Sequence, residues 1–199
     1  INPGVEVIFR HNTNLEVFGL LRVSGNENDS VTFTAEIVGD PDNRPQIIGQ
    51  NRTGALLFDY GTVSPDAPKI TGDWESLEIC NSHLPQIYIV DARLIDISFS
   101  TIFLPIHLDE RMFDERLESF NFHDLIMNQT IAEFSSVPNC EIYNIIGVYE
   151  PGERSSITFD AGSSIEMYHM KDIWVRKNPT VAGLNDFHCH SNDGGGFVL

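Results

Sequence analysis

INPGVEVIFRHNTNLEVFGLLRVSGNENDSVTFT, residues Ile1 to Thr34, is the stretch on which the reading of the fold turns. It holds three short apolar runs: Val5 to Phe9, then Leu15 to Phe18 continuing with Leu20 to Val23, then Val31 to Thr34. Pro3-Gly4, Gly19, Gly25 and the polar Asn26 to Asp29 separate them. Each run is too short for a helix and is rich in β-branched or aromatic residues, so each reads as a strand closed by a turn. Short strands in series imply an all-β chain.

Working outward, the 199 residues are enough to bury a sizeable core, and we read 1–199 as one domain, either whole or cut from a longer chain. The 13 Phe, 15 Gly and 10 Pro suit a β-rich, turn-rich protein. The formal net charge of −17 repels nucleic-acid phosphates and anionic head groups, which argues against a nucleic-acid partner. The same charge suits Ca²⁺ or a basic protein surface, although most acidic surfaces only keep a protein soluble. No apolar run reaches the roughly 18 residues of a membrane span, so no membrane insertion of this segment is expected. The start at Ile1, without Met or a leader, reads as a mature or excised piece.

Three sequons, at Asn28, Asn51 and Asn128, fit a glycosylated extracellular or cell-surface protein. Cys80, Cys140 and Cys189 are too few for a disulfide scaffold and include no Cys-x-x-Cys pair; one bridge with a free thiol, or burial of all three, is compatible with their number.

Beyond Thr34, the Pro-rich stretch from Gly39 to Thr53 reads as a loop, Ala55 to Phe58 as a strand, Gly61 to Pro68 as a loop and Gly72 to Cys80 as a half-buried strand. A weak repeat follows. Ile95-Asp96-Ile97, Phe120-Asn121-Phe122, Cys140-Glu141-Ile142, Ile165-Glu166-Met167 and Phe187-His188-Cys189 each place a polar residue between two apolar ones, recurring about every 20 to 25 residues. A second apolar beat follows in several units: Leu125 and Met127, Ile145 and Val148, Ile173 and Val175.

Units of this length with no helical period predict a right-handed parallel β-helix, a solenoid in which each coil covers the apolar floor of the coil below. The proposed inner wall of the opening coils is Val5, Leu15, Val17, Leu21, Val31 and Phe33. A β-sandwich of hairpins also alternates, and spacing alone leaves it as the rival. Long loops are expected at the corners. Pro105 to Leu117 supplies the one helix candidate, near 107–117, through the short apolar stripe of Leu108, Met112, Phe113 and Leu117.

Divided in this way, the opening resembles a module of secreted right-handed β-helix proteins. The matching residues are Pro3, Gly4 and Val5; Leu15, Val17, Gly19, Leu21 and Gly25; Val31 to Thr34; and Gly72 with Trp74. The likeness covers about the first 80 residues and is nearest to the β-helix regions of bark beetle (anakonda) type receptors, which that family places at cell junctions. Two features depart from the pattern: Ser76 stands where a glycine is usual, and the loops around 40–51 and 109–116 are long. The resemblance implies an extracellular, non-catalytic role in adhesion, structural display or ligand binding.

The alternative on such a scaffold is a carbohydrate-active enzyme, a polysaccharide lyase or glycoside hydrolase, or a carbohydrate-binding module. Lyases and hydrolases need clustered carboxylates with an acid, base or Ca²⁺ role. The nearest set is Asp91, Arg93 and Asp96, which reads better as an outward salt-bridge ladder. His188 and His190, two apart on a strand, with His169 one coil earlier, form a metal-ligand candidate against the plainer reading of a surface strand. Trp74 and Trp174 are candidates for stacking on sugars, with core packing the default. No catalytic residue or cofactor is implied, and the expected partner is a protein or glycan at the cell surface.

Overall fold

The computed structural model describes residues 1–10, 13–36, 44–63, 68–84, 86–102, 106–109, 118–135, 140–148, 155–159, 165–177, 187–193 and 196–198. In chain order the strands are β1 (Glu6–Phe9), β2 (Asn14–Val17), β3 (Leu20–Ser24), β4 (Val31–Ala35), β5 (Gln46–Asp59), β6 (Gly61–Val63) and β7 (Lys69–Cys80). They continue with β8 (His83–Leu84), β9 (Ile87–Ser98), β10 (Thr101–Ile102), β11 (Ile106–Asp109), β12 (Ser119–Asn128) and β13 (Ile131–Ser135). The last six are β14 (Cys140–Val148), β15 (Ser156–Phe159), β16 (Ile165–Lys171), β17 (Trp174–Lys177), β18 (Phe187–Asp193) and β19 (Gly196–Val198).

The described residues contain no helix, and every strand pairing among them is parallel. The pairings run as three ladders. Ladder A stacks β2, the first parts of β5, β7 and β9, and then β11, β13, β15, β17 and β19. Ladder B stacks β3, the second parts of β5, β7 and β9, and the first parts of β12, β14, β16 and β18. Ladder C stacks β1, β4, β6, β8 and β10 with the second parts of β12, β14, β16 and β18. The chain visits C, A and B in rotation, and each round lands on the strand below. That is a parallel β-solenoid, with successive coils 18 to 25 residues apart through the middle of the stack.

From the second coil on, the corner between ladders B and C turns on one left-handed residue. Tyr60, Asn81, Phe99, Asp124, Asn144 and His169 all sit there at φ between 47° and 56°. A single left-handed residue redirects an extended chain without opening a loop. Asn, Asp and His adopt this conformation more readily than other non-glycine residues, whereas Tyr60 and Phe99 carry a steric cost that the surrounding stack must hold. Behind the corner, hydroxyls satisfy the buried backbone. Ser82 N donates to Ser100 Oγ at 3.1 Å, and Gly61 N donates to Ser82 Oγ at 3.0 Å.

Inside, alternation along each strand sends every second residue to the axis. Leu56, Leu77, Ile95 and Phe120 follow one another in register on ladder B, as do Phe58, Ile79, Ile97, Phe122, Ile142 and Met167 two residues on. All are buried, and each such side chain contributes about 1.5 to 3 kcal/mol relative to exposure. Phe134 closes edge-on against Phe120 and Phe122 at 4.9 and 5.4 Å, filling the axis where aliphatics give way to rings.

Several expectations change. Val5 is exposed because it precedes β1, outside the paired strand; Val7 and Phe9, of the same parity but within β1, are the residues that pack inward. Leu15, Val17, Leu21, Val31 and Phe33 do line the interior. The supposed loop to Thr53 is strand from Gln46, and Gly61–Val63 is strand as well. In place of a helix near 107–117, Ile106–Asp109 is β11, paired in parallel with β9 and β13, and its Ile-His-Leu-Asp sequence has the period-2 beat of a strand; residues 110–117 lie outside the described residues. Val148 is exposed, since Gly147 takes the inward position above Met127.

Candidate functional site

The outer surface of ladder B gathers most of the side chains with chemical potential. Alternation leaves two columns facing outward. The first reads Arg22, Leu57, Glu78, Asp96, Asn121 and Glu141, with the backbone positions of Glu166 and His188 next in register. The second reads Ser24, Asp59, Cys80, Ser98, which its neighbours bury, His123, Tyr143 and Tyr168, with the backbone position of His190 next in register. Neighbours in a column are about 4.8 Å apart, close enough for planar rings to stack and for like charges to feel one another.

Rings take up the second column. His123 stacks on Tyr143 at 4.5 Å with 6° between planes, and Tyr143 stacks on Tyr168 at 4.9 Å and 4°. Phe99 meets the His123 ring edge-on at 5.7 Å. Both faces of Tyr143 are therefore covered by neighbours, leaving its edge and hydroxyl outward. Burial, then the Tyr168 hydroxyl and the carboxylates of Asp124, Asp96 and Glu141, raise the Tyr143 phenol above its ordinary value, so near neutral pH it is a hydrogen-bond donor.

At the foot of this column His123 Nδ1 lies 2.7 Å from Asp124 Oδ2, and Asn144 Nδ2 donates to Asp124 Oδ1 at 2.9 Å. The imidazole donates, because an ionised carboxylate has no proton to give. Burial pushes the Asp124 carboxyl up, but the hydrogen bonds from His123 and Asn144 outweigh it and hold the group below the usual carboxylate range. On the other side of the ring, His123 Nε2 is 3.8 Å from Asp96 Oδ1, while Asn121 reaches Asp96 Oδ2 at 3.4 Å. The imidazole is thus held between two carboxylates by position and covered by a ring.

The expected salt-bridge ladder exists in altered form. Arg93 pairs with Glu75 below and Glu118 above, three coils joined by one guanidinium. Asp96 faces outward too, but Asp91 is covered: it is 2% exposed at the corner between ladders A and B, with its Oδ2 2.6 Å from Arg52 Nε. A register shift at Gly72/Asp73 places the extra residue, Val90, just before Asp91, at the turn from ladder A to ladder B.

Trp74 is fully buried, its Nε1 donating to Thr71 O at 2.9 Å while its ring packs against Gly49; it belongs to the core and offers no face to a sugar. Trp174 is half-buried at the start of β17. His188 and His190, on β18, pair in register with Glu166 and Tyr168, and their side chains lie outside the described residues. His169 is not beneath them: it occupies the left-handed corner, exposed, with its ring edge-on to Tyr168 at 5.8 Å. Among the described residues no three His, Cys, Asp or Glu side chains cluster as metal ligands.

No protein-family model matches the chain, and no curated protein or solved structure is significantly similar to it.

The cysteines fall in three separate columns. Cys140 and Cys189 stand two coils and two residues apart, about 11 Å by strand geometry and beyond disulfide reach. Cys80 is three coils below the Tyr143 position, and burial, then the hydrogen bond to Asp59 Oδ1, push its thiol up to about 12, so it is no thiolate nucleophile. The sequon asparagines are spread around the stack: Asn28 exposed in the turn bridged by Asn26 and Asp29, Asn51 exposed at a left-handed corner, and Asn128 half-buried at the end of β12.

Sequence reading missed the ring column, although its signal was present. Aligning Phe-Asn-Phe-His123-Asp, Cys-Glu-Ile-Tyr143-Asn and Ile-Glu-Met-Tyr168-His places an aromatic ring after each of these three apolar-polar-apolar units, followed by the corner residue.

Proposed function

We propose that this chain is a non-catalytic, right-handed parallel β-helix module of an extracellular protein, whose acidic ladder B surface docks a positively charged protein partner in adhesion or ligand display. Right-handedness follows from the rule that crossovers joining parallel strands of one sheet are right-handed in about 98% of cases. The resemblance of the opening coils to bark beetle type receptors belongs to the same reading.

One observation carries the functional part: the chemically capable side chains of this surface are engaged with one another along the stack. Arg93 is held between two glutamates, His123 between a carboxylate and a ring, and Tyr143 between two rings. Hydrolysis or elimination requires an acid or base free to meet a substrate atom, and sugar stacking requires an open ring face. A self-engaged wall instead presents fixed charge on a rigid support. Glu78, Asp96, Glu141 and Glu166 in one column, within a chain of net charge −17, favour a cationic surface.

Binding of a lysine-rich peptide to the immobilised chain tests this. Affinity is expected to fall steeply with salt and to be lost when Glu78, Asp96 and Glu141 are changed together to Lys, with no polysaccharide cleaved. Depolymerisation of a polysaccharide that His123→Ala abolishes, or glycan-array binding that Trp174→Ala abolishes, would overturn the proposal in favour of a carbohydrate-active protein.

A further inference from the structure

The outer surface of ladder C carries a feature that the acidic wall does not explain. Ile126 and Ile146 face outward in register on adjacent coils, 42% and 48% exposed, and Val148 beside them is 39% exposed. Outward positions of a solvated sheet are ordinarily polar, so adjacent exposed aliphatics in register mark a surface that something covers.

The neighbour in the remaining position is Asn128. It follows Ile126 by two residues on the same outward side of β12 and pairs in register with Val148. It is also the acceptor of the sequon Asn128-Gln129-Thr130. We infer that an N-linked sugar on Asn128 is the cover of this patch, its first N-acetylhexosamine units lying along Val148, Ile146 and Ile126. The apolar C–H face and acetyl methyl of such a sugar match aliphatic side chains, while its hydroxyls turn to water. A sugar rooted at the edge of the patch pays little entropy to lie across it, because attachment has already placed it there.

The attachment must precede closure of the coil. Thr130, which the sequon requires, is 3% exposed in the folded chain, and its Oγ1 has no hydrogen-bond partner there. In the transfer, Asn128 Nδ2 bonds to the anomeric carbon of a lipid-pyrophosphate-linked oligosaccharide, the lipid pyrophosphate leaves and one amide proton is lost. Only an unfolded segment presents both side chains to a transferase. This inference rests on the extracellular reading above, and its test separates the two.

The full chain is secreted from a eukaryotic host and its glycans are mapped by mass spectrometry. Asn128 is expected to carry a sugar. Enzymatic removal of sugars from the folded protein, and independently Asn128→Gln, should give a severalfold rise in the fluorescence of a hydrophobic-surface dye and concentration-dependent association by sedimentation. Adding Ile126→Thr and Ile146→Thr to Asn128→Gln should abolish both effects. Circular dichroism checks that the variants keep their strand signal, and the enzymatic arm needs no variant. Sugars at Asn28 or Asn51 with Asn128 bare overturn the inference and leave the extracellular reading standing, whereas sugars at none of the three overturn both. A glycosylated Asn128 whose removal leaves dye binding unchanged overturns the inference, as does a glycosylated protein that already dimerises through Ile126 and Ile146.

Discussion

Single residues set the corners of this solenoid, and glycine is required at few of them. Gly72 has φ of +96°, and a Cβ there would stand 2.4 Å from the Gly49 carbonyl oxygen, a backbone atom of the neighbouring coil. Gly72→Ala is expected to destabilise the chain by more than about 1 kcal/mol in urea unfolding. Gly19 has nothing within 4 Å of such a Cβ, and Gly19→Ala should stay within about 0.5 kcal/mol. The Asp124 carboxyl offers a charge-based test. Because its folded pKa is depressed below 3.8, its hydrogen bonds to His123 and Asn144 stabilise the fold above that pH, and the contribution is lost as pH falls through the folded value. Carbonyl NMR should show Asp124 titrating below an ordinary aspartate, and Asn144→Ala should move the midpoint up. These corners were hard to read in sequence. Tyr60 and Phe99 look like core residues until their left-handed φ is seen, and Trp74, a candidate sugar platform by residue type alone, is buried by Gly49 of the coil beside it.

Elements here are segments of coil, and their stability comes from the coils on either side. Leu77 is buried with Leu56 below and Ile95 above, so Leu77→Ala should cost about 2 to 5 kcal/mol. Leu21, on a strand paired on one side only and half-buried, should cost clearly less when changed to Ala; paired urea titrations decide the order. Hydrogen exchange should likewise be slower in β7 and β9 than in β1 to β3. This level was the most legible in the sequence. The five apolar-polar-apolar units from Ile95 to Cys189 fall on one ladder in register, because inward positions admit only apolar side chains and so print the coil period into the chain. The legibility fails where alternation slips. The shifts near Gly49/Gly54 and Gly72/Asp73 add residues without changing composition, and the burial of Asp91 beside Arg52 at that corner left no mark in the sequence. The strand at Ile106–Asp109 was hidden beside a charged stretch that imitates a helix.

The whole molecule combines this rigid stack with a net charge of −17 concentrated in part on one wall. Composition revealed the charge, but only register shows that Glu78, Asp96, Glu141 and Glu166 share a column and that the rings of His123, Tyr143 and Tyr168 stack in the column beside them. The acidic wall therefore exists only if the coils stack in this parallel register. Double electron–electron resonance measures that register directly. Spin labels at Arg22→Cys and Glu141→Cys, in a background with the three native cysteines changed to Ala, span five coil steps, and so do labels at Leu57→Cys and Glu166→Cys. A parallel stack with strands about 4.8 Å apart predicts the same mean distance for both pairs, about 24 Å. Two unrelated distances, or either one centred below about 15 Å or above about 40 Å, would contradict the stacked coils and the acidic wall built on them.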